Sequence, residues 1–465
     1  MISLTYDQQI ALGLMKEFVH DEVDRVFMLK GYAGSGKTSL IVELIQYLKG
    51  KNIPYQLLAS TGRAAKMLSL KTGSSAQTVH SFIYTFTYNV LNSQSKTAKV
   101  TFSIRDNPTS LNTLFIVDEA SLISDHKSVE QSLEFGTGKL LSDFFKFLGH
   151  RKAIFVGDPA QLPPINTLFS PALNASYVEK EFRKPVKEAF LYEVIRYAKN
   201  SGIYFNAEHI RKQLENPKSV RYMTLFAKNF TDIEVVEFDS ILVKQYVDGI
   251  RQNGIASSIM ICYTNASCNI LNQLARQQLF PDRTEMGEGD LVIVGSNNYL
   301  YKLDNGQQLY IRNVSDKVER RANLHFRNIE FSLVNSDGIS TITLHAKIID
   351  EYLYRPKPII SADEEFELVR DFFIRTDKEI KKDTIQLVEK LGTDPYLNAL
   401  RIRFGYAITC HKAQGGEWEN VYLILEKLLF AQTKDDKEFL LRWTYTALTR
   451  AQKKITFLNN ICIKR

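Results

Sequence analysis

The stretch Gly31-Tyr-Ala-Gly-Ser-Gly-Lys-Thr38 constrains this chain more than any other. It follows Arg25-Val-Phe-Met-Leu-Lys30, a short apolar run that reads as a buried strand. It precedes Ser39-Leu-Ile-Val-Glu-Leu-Ile-Gln-Tyr-Leu48, whose apolar residues recur at helical spacing. Glycines at a strand-to-helix turn let backbone N–H groups converge on phosphate oxygens, and the helix N-terminus adds positive potential. In that geometry Gly31, Ala33, Gly34, Ser35, Gly36 and Ser39 line a phosphate cradle. Lys37 reaches the β- and γ-phosphates, and the Thr38 hydroxyl ligates Mg²⁺. A glycine-rich turn that binds nothing is the plain alternative; the flanking strand and helix count against it.

With 465 residues the chain is too long for one core, and two to four domains are expected. At 44% hydrophobic and 24% charged it has the make-up of a globular protein, and a net charge of +7 suits a polyanionic partner. Cys262, Cys268, Cys410 and Cys462 have neither metal nor redox spacing, which predicts free thiols and a cytoplasmic setting. The N-terminal residues lack a basic region followed by an apolar one, so no signal peptide is expected. No apolar run reaches membrane-spanning length, and no membrane partner is expected.

Thr5 and Gln8 open the first helix in the pattern of a capping box. The Gln8 amide equally suits an adenine edge, being both donor and acceptor. Residues 55–60 read as a second strand that runs into Thr61-Gly-Arg-Ala-Ala-Lys66. Thr61, Gly62 and Lys66 there suit a phosphodiester, or simply belong to an ordinary strand–helix unit. In Thr78-Val-His-Ser81 two hydroxyls flank His80 at a helix start, where the imidazole by itself reads as a core or capping residue. Residues 82–112 break the rhythm with Tyr84, Phe86, Tyr88 and Phe102 around a polar turn at 92–95. They predict a small inserted hairpin, 88–91 against 100–104.

Residues 114–117 form a further strand, ending in Asp118-Glu119. Carboxylates at that edge face the crevice of an open α/β sheet. Asp118 is placed to hold Mg²⁺ through water and Glu119 to polarise the attacking water. The strand at 152–156 leads into Gly157-Asp-Pro-Ala-Gln-Leu-Pro-Pro-Ile165, a rigid turn with Gln161 placed to sense a γ-phosphate. In the second half, 258–264 reads as a strand and 265–279 as its helix, opening a second sheet that 403–458 completes. Between them, strand signals at 289–294, 308–312, 329–334 and 341–345, with an Asp337-Gly338 turn, suggest a small SH3-like barrel. The charged stretch 362–393 predicts a helical arm beside it, and 378–383 a solvated face.

Taken in order, the phosphate loop, Asp118-Glu119-Ala-Ser and Gly157-Asp-Pro-Ala-Gln-Leu-Pro-Pro resemble superfamily 1 helicases. So do Ala407-Ile-Thr-Cys-His-Lys-Ala-Gln-Gly-Gly-Glu-Trp418 and Arg442-Trp-Thr-Tyr-Thr-Ala-Leu-Thr-Arg450, and the branch they look most like is RecD/Dda. The resemblance implies an α/β fold with two RecA-like motor domains. The first spans 1–190 with the 82–112 hairpin inserted. The second is 191–284 plus 401–465, with the barrel and arm inserted at 285–400. It implies ATP and Mg²⁺ as cofactors, and Arg450 as an arginine finger, which ATP hydrolysis needs to offset charge on the transferring phosphoryl group. Arg196 matches a second phosphate-reading arginine, unless it is a solvated helix arginine. Glu417 matches a residue on the ribose or γ-phosphate side. Tyr445 packs on the nucleotide or in the core.

Thr409, His411 and Lys412 match positions near the DNA backbone. Thr61, Gly62, Lys66, Thr78, His80 and Ser81 are the contacts expected in the first domain, with Phe102 among the aromatics of a strand-separating wedge. The implied activity is ATP-driven, 5′-to-3′ unwinding of DNA by a monomer. Single-stranded DNA and duplex junctions are the implied partners, with replication or single-strand-binding proteins beside them. An RNA helicase, or a nucleic-acid-stimulated ATPase that does not unwind, is the nearest rival. A phosphate-loop ATPase serving signalling or assembly is a further one, against which the second arginine-bearing segment argues.

Overall fold

The computed structural model describes residues 4–92, 97–127, 133–298, 300–335, 338–355 and 360–465. The turn at 92–95, the rings of Phe86 and Tyr88 and the Asp337-Gly338 turn lie wholly or partly outside the described residues. Contacts divide the chain into one unit of Met1–Thr87 and Val100–Lys199 and another of Tyr88–Lys99 and Asn200–Arg465.

The first nine strands are β1 (Val26–Gly31), β2 (Tyr55–Ala59), β3 (Ala76–Thr78), β4 (Tyr84–Asn92), β5 (Thr97–Ile104), β6 (Leu114–Asp118), β7 (Leu133–Phe135), β8 (Lys152–Gly157) and β9 (Val186–Leu191). Six of them form one parallel sheet in the order β3-β2-β6-β8-β1-β9. Alternate side chains feed two cores. Val26 and Met28 pack with Phe115, Phe144 and Phe155, while Phe27 and Leu29 pack with Leu40, Leu44 and Ile154. Burial on both faces is why these strands read as continuous apolar runs.

The helix Tyr6–His20 begins at Thr5 with the expected capping box. β4 and β5 form the expected hairpin, and β7 joins it as a third strand that the sequence did not signal. The first unit runs past the expected end at 190. The reason is local: Ile195 and Arg196 donate their N–H groups to Gly34 O.

The second unit carries β10 (Leu225–Phe226), β11 (Ile233–Val236), β12 (Ser258–Cys262), β13 (Leu291–Val294), β14 (Gln308–Val314), β15 (Glu319–Arg321), β16 (Leu324–Asn335), β17 (Gly338–Ile339), β18 (Leu344–Ile349), β19 (Ile402–Phe404), β20 (Ala407–Thr409), β21 (Trp418–Leu423), β22 (Ala451–Leu458) and β23 (Ile463–Lys464). A second parallel sheet has the order β11-β22-β21-β12-β20. The inserted strands build a separate antiparallel sheet, β15-β16-β14-β13-β19, with β17 and β18 also on β16. That sheet is completed by β19, beyond the expected end of the insertion at 400, because β19 pairs with β13. The helices Ala362–Arg375, Lys378–Lys382 and Thr384–Thr393 follow the charged pattern. Met260, Leu291, Phe331 and Phe404 share one core, so the inserted sheet packs against the parallel one. All four cysteines are free and buried. No described helix is long and apolar enough to cross a membrane.

Candidate functional site

β1 runs directly into the glycine-rich loop. Gly34 and Gly36 both take φ near +82°, a region that glycine enters at no steric cost. A Cβ at Gly34 would lie 2.7 Å from Arg196 Cβ, and one at Gly31 would lie 2.7 Å from Ser35 Oγ. The helix Lys37–Gly50 has no side-chain cap, so its first N–H groups face outward for a ligand. Ser35 Oγ is buried with no hydrogen-bond partner, the kind of polar atom a bound phosphate satisfies. Lys37 Nζ donates to Gly31 O at 2.8 Å and Tyr32 O at 3.0 Å, which holds its charge over the loop. Ala33 is buried, and Thr38 and Ser39 stand partly exposed on the first turn. These residues fit the phosphate tail of a nucleoside triphosphate.

The neighbouring strands bring up the rest. Because β6, β8, β1 and β9 are adjacent and parallel, the turns that follow them line one edge. Asp118 is 9% exposed, and its Oδ1 accepts the Glu119 N–H at 2.9 Å. Glu119 takes φ +50°, strain that a fold keeps where it must aim a side chain. After β8, the Asp158 carbonyl and Oδ1 accept the N–H groups of Gln161 (3.3 Å) and Ala160 (2.9 Å). Gln161 is itself 3% exposed. After β9 the chain is not helical at 193–196. Arg196 is thus a loop residue on the phosphate loop, and the solvated-helix alternative falls.

The same sheet edge continues at β2 and β3, where Ala59 pairs with Thr78. Thr61 caps the helix Gly62–Thr72, and Thr78 caps Val79–Ile83. Gly62 is buried, Lys66 partly exposed and Ser81 exposed. The His80 ring lies 5.9 Å from Tyr84 and 5.5 Å from Phe135. Burial pushes its imidazole down to about 4, so any strand contact it makes is as a neutral donor or acceptor.

In the second unit Thr409 ends β20 and precedes the short helix Cys410–Ala413, which carries His411 and Lys412. Burial lowers the His411 imidazole; burial and then Arg403 lower the Lys412 ammonium. Arg450 is 2% exposed. Its guanidinium donates to Thr446 O at 2.9 Å, Gly416 O at 3.1 Å and Thr449 Oγ1 at 3.2 Å. Glu417 Oε2 accepts Gln452 Nε2 at 3.1 Å.

Residues 6–213 match the family model described as an AAA domain, and 404–458 match the UvrD-like helicase C-terminal domain. The chain is 23% identical over 482 residues to the ATP-dependent DNA helicase dda of Enterobacteria phage T4, covering 98% of this chain and 99% of that protein. It is 22% identical to the RecBCD enzyme subunit RecD of Buchnera aphidicola, over 94% of this chain and 71% of that one. A solved structure of Pif1 helicases from a study of forked duplex unwinding aligns with a TM-score of 0.53 at 15% identity, covering 100% of this chain and 95% of that one. By these matches the chain is similar to superfamily 1 helicases, and among them to the RecD/Dda type.

Three sequence expectations change. Gln8 does not present its amide to a base. Its Oε1 accepts Thr5 N–H at 3.0 Å, its Nε2 donates to Ser35 O at 2.9 Å, and it is 1% exposed. It braces helix to phosphate loop. Tyr445 is fully buried, which is the core-packing alternative rather than a nucleotide face. Phe102 is 8% exposed and stacks on Phe135 at 4.6 Å. Tyr84, 4% exposed, donates its hydroxyl to Asp143 at 2.7 Å. Both rings anchor the root of the hairpin and are not offered to DNA. Asp7, which accepts the N–H groups of Tyr192 (3.1 Å) and Glu193 (3.2 Å), escaped sequence reading. A lone first-turn aspartate carries no signal beyond helix capping.

Proposed function

We propose that this superfamily 1 protein is an ATP-driven motor that moves 5′ to 3′ along single-stranded DNA and separates the duplex ahead. The observation that carries the proposal is the alignment of glycine loop, Asp118 with the positive-φ Glu119, and Arg196 along one sheet edge. When bound, ATP with Mg²⁺ supplies a phosphoryl group whose transfer to water releases the free energy for movement. Lys37 and the loop N–H groups hold the phosphates, and Thr38 with Asp118 offers the oxygens Mg²⁺ prefers. Glu119 takes up the proton of the attacking water, and Gln161 and Arg196 report the γ-phosphate. Arg450 and Glu417, expected from the resemblance as an arginine finger and a residue on the ribose or γ-phosphate side, belong to the same proposal.

The domain plan read from the sequence belongs to the same proposal: two motor domains, a wedge at 82–112, and a barrel and arm that begin near 285 and take in β19 at Ile402–Phe404. The described aromatics brace the root of that wedge, so its working surface is the distal part. Shortening the distal part should abolish unwinding and keep DNA-stimulated ATPase.

DNA as the track follows from the name of the phage T4 relative, an ATP-dependent DNA helicase that the chain matches end to end. The RecD/Dda likeness is what supports the direction, since either polarity uses the same ATP chemistry. The test uses partial duplexes with one single-stranded tail. Unwinding from a 5′ tail and none from a 3′ tail is expected; the reverse overturns the polarity. ATPase rates unchanged by single-stranded DNA would overturn the motor, and stimulation by RNA alone would favour the RNA-helicase rival.

A further inference from the structure

In the inserted sheet, β16 runs between β14 and β18, and the register sorts their side chains onto two faces. Val314, Ile329 and Ala346 turn to the core shared with the parallel sheet. The residues between them point to the opposite face. Asn313, Glu330 and His345 stand opposite one another in one row across the three strands. Asn328 and Lys347 stand in the next row, beside Ser315. Both rows line a cavity of about 370 Å³, within the range of sites that take a ligand.

The charges facing that cavity are not balanced. The Lys347 ammonium is already matched, by Glu319 at 2.9 Å. Glu330 is not. Among the described residues its one ionic partner is the exposed His345, with Nδ1 at 3.9 Å, beyond hydrogen-bond reach. Asn313 and Asn328 are exposed, and a carboxamide both donates and accepts. The cavity therefore offers a ligand one unmatched carboxylate and two amides. A phosphate backbone would meet that carboxylate as a like charge, whereas a cationic group meets its complement. The two rows lie two residues apart along the strands, about 6.6–6.8 Å. That is also the repeat between alternate residues of an extended peptide.

We propose that this cavity docks an extended peptide segment of a partner protein, whose basic side chain pairs with Glu330 while Asn313 and Asn328 bond its peptide groups. Arginine is the preferred residue, because its guanidinium meets a carboxylate through two parallel hydrogen bonds. The site is built wholly on the inserted sheet. It goes beyond the motor reading and does not depend on it.

The test is saturation-transfer NMR on the full chain with blocked pentapeptides at millimolar concentration: acetyl-Gly-Ser-Arg-Ser-Gly-amide and its glutamine and glutamate counterparts. Wild-type protein is expected to transfer saturation to the arginine peptide and not to the other two. Glu330→Gln should weaken the arginine peptide by about two- to fivefold, the worth of an ion pair near the surface. Glu330→Lys should release the arginine peptide and take up the glutamate one. Both substitutions fall on a partly exposed side chain, and thermal melts check the fold; should Glu330→Lys not fold, Glu330→Gln carries the test. No transfer from wild-type protein, or folded variants that treat the peptides as wild type does, would overturn the site. Displacement of the arginine peptide by an oligothymidylate, without nucleotide, would assign the cavity to the nucleic-acid strand and overturn it too. ATPase stimulation by single-stranded DNA, measured on the same variants, is expected to stay at the wild-type level; its loss with Glu330→Gln would also place Glu330 in the strand path and overturn the site.

Discussion

The turn after β1 and the turn after β12 are the same element, a parallel strand feeding a helix, built with opposite chemistry. In the first unit the turn is glycine-rich, and the helix Lys37–Gly50 starts without a side-chain cap. In the second, Thr264 caps the helix Asn265–Leu279. Glu426 then fills the remaining anion position. Its carboxylate accepts Tyr263 N–H at 2.7 Å, Thr264 N–H at 2.9 Å, Thr264 Oγ1 at 2.9 Å and Ser267 Oγ at 2.8 Å. A helix N-terminus favours an anion in either case. The second unit supplies its own, so its turn is closed chemistry. The first leaves Ser35 Oγ buried and unsatisfied, so its turn awaits a ligand. The difference explains how two similar sheets in one chain divide their roles.

The largest effect expected on this contrast is from Lys37→Ala. ATP turnover should fall to background, a loss of about 10³-fold or more, while single-stranded DNA binding stays within a few-fold. Loss of both in a folded variant would mean that the two surfaces are not separable. Next is Glu119→Gln, which should bind ATP normally and hydrolyse it about 10²–10⁴-fold more slowly. Near-normal turnover in a stopped-flow phosphate-release assay would move the base elsewhere.

Glu426→Ala should act on stability instead of catalysis. Removing a carboxylate that accepts several hydrogen bonds should cost about 2 kcal/mol in urea unfolding, with the KM for ATP unchanged. A tenfold rise in KM would break the comparison, because the second turn would then belong to the nucleotide site.

The smallest effect concerns His80, on the first sheet's edge. Its folded-state value is about 4, against an ordinary 6.5. The unfolded chain therefore binds a proton that the folded one excludes. Stability is full above about pH 6.5 and falls as pH drops toward 4, by on the order of 1 kcal/mol given the partial exposure of the ring. His80→Phe should flatten that part of the thermal-melt profile, and an unchanged slope would show that other groups carry it.

Much of the first unit was legible because its signals are local. The loop from Gly31 to Thr38, the Thr5–Gln8 cap and the carboxylates ending β6 each lie within a few residues of the element they define. The antiparallel insertion was legible in outline, but β15 and β7 were not. Three-residue strands leave too short a pattern for alternation to register. Arg196 resisted assignment because Glu193-Val-Ile-Arg-Tyr suits a helix as well as a loop, and only its backbone bond to Gly34 distinguishes them.

The sequence by itself determined the phosphate loop, the parallel-sheet class, the order of the catalytic motifs and the family they resemble. Those rest on backbone rules that act over a turn or a strand. Tertiary structure alone decided which side chains face the site and which face the core. Gln8 is committed to Ser35 across 27 positions, Arg403 to Asn269 across 134 and Glu426 to Thr264 across 162. Tyr445 and Phe102 are rings that a helix or strand pattern can place on a face, but only packing shows that the face is buried. Partners so far apart in the chain meet through the fold's connectivity, and no local periodicity encodes them.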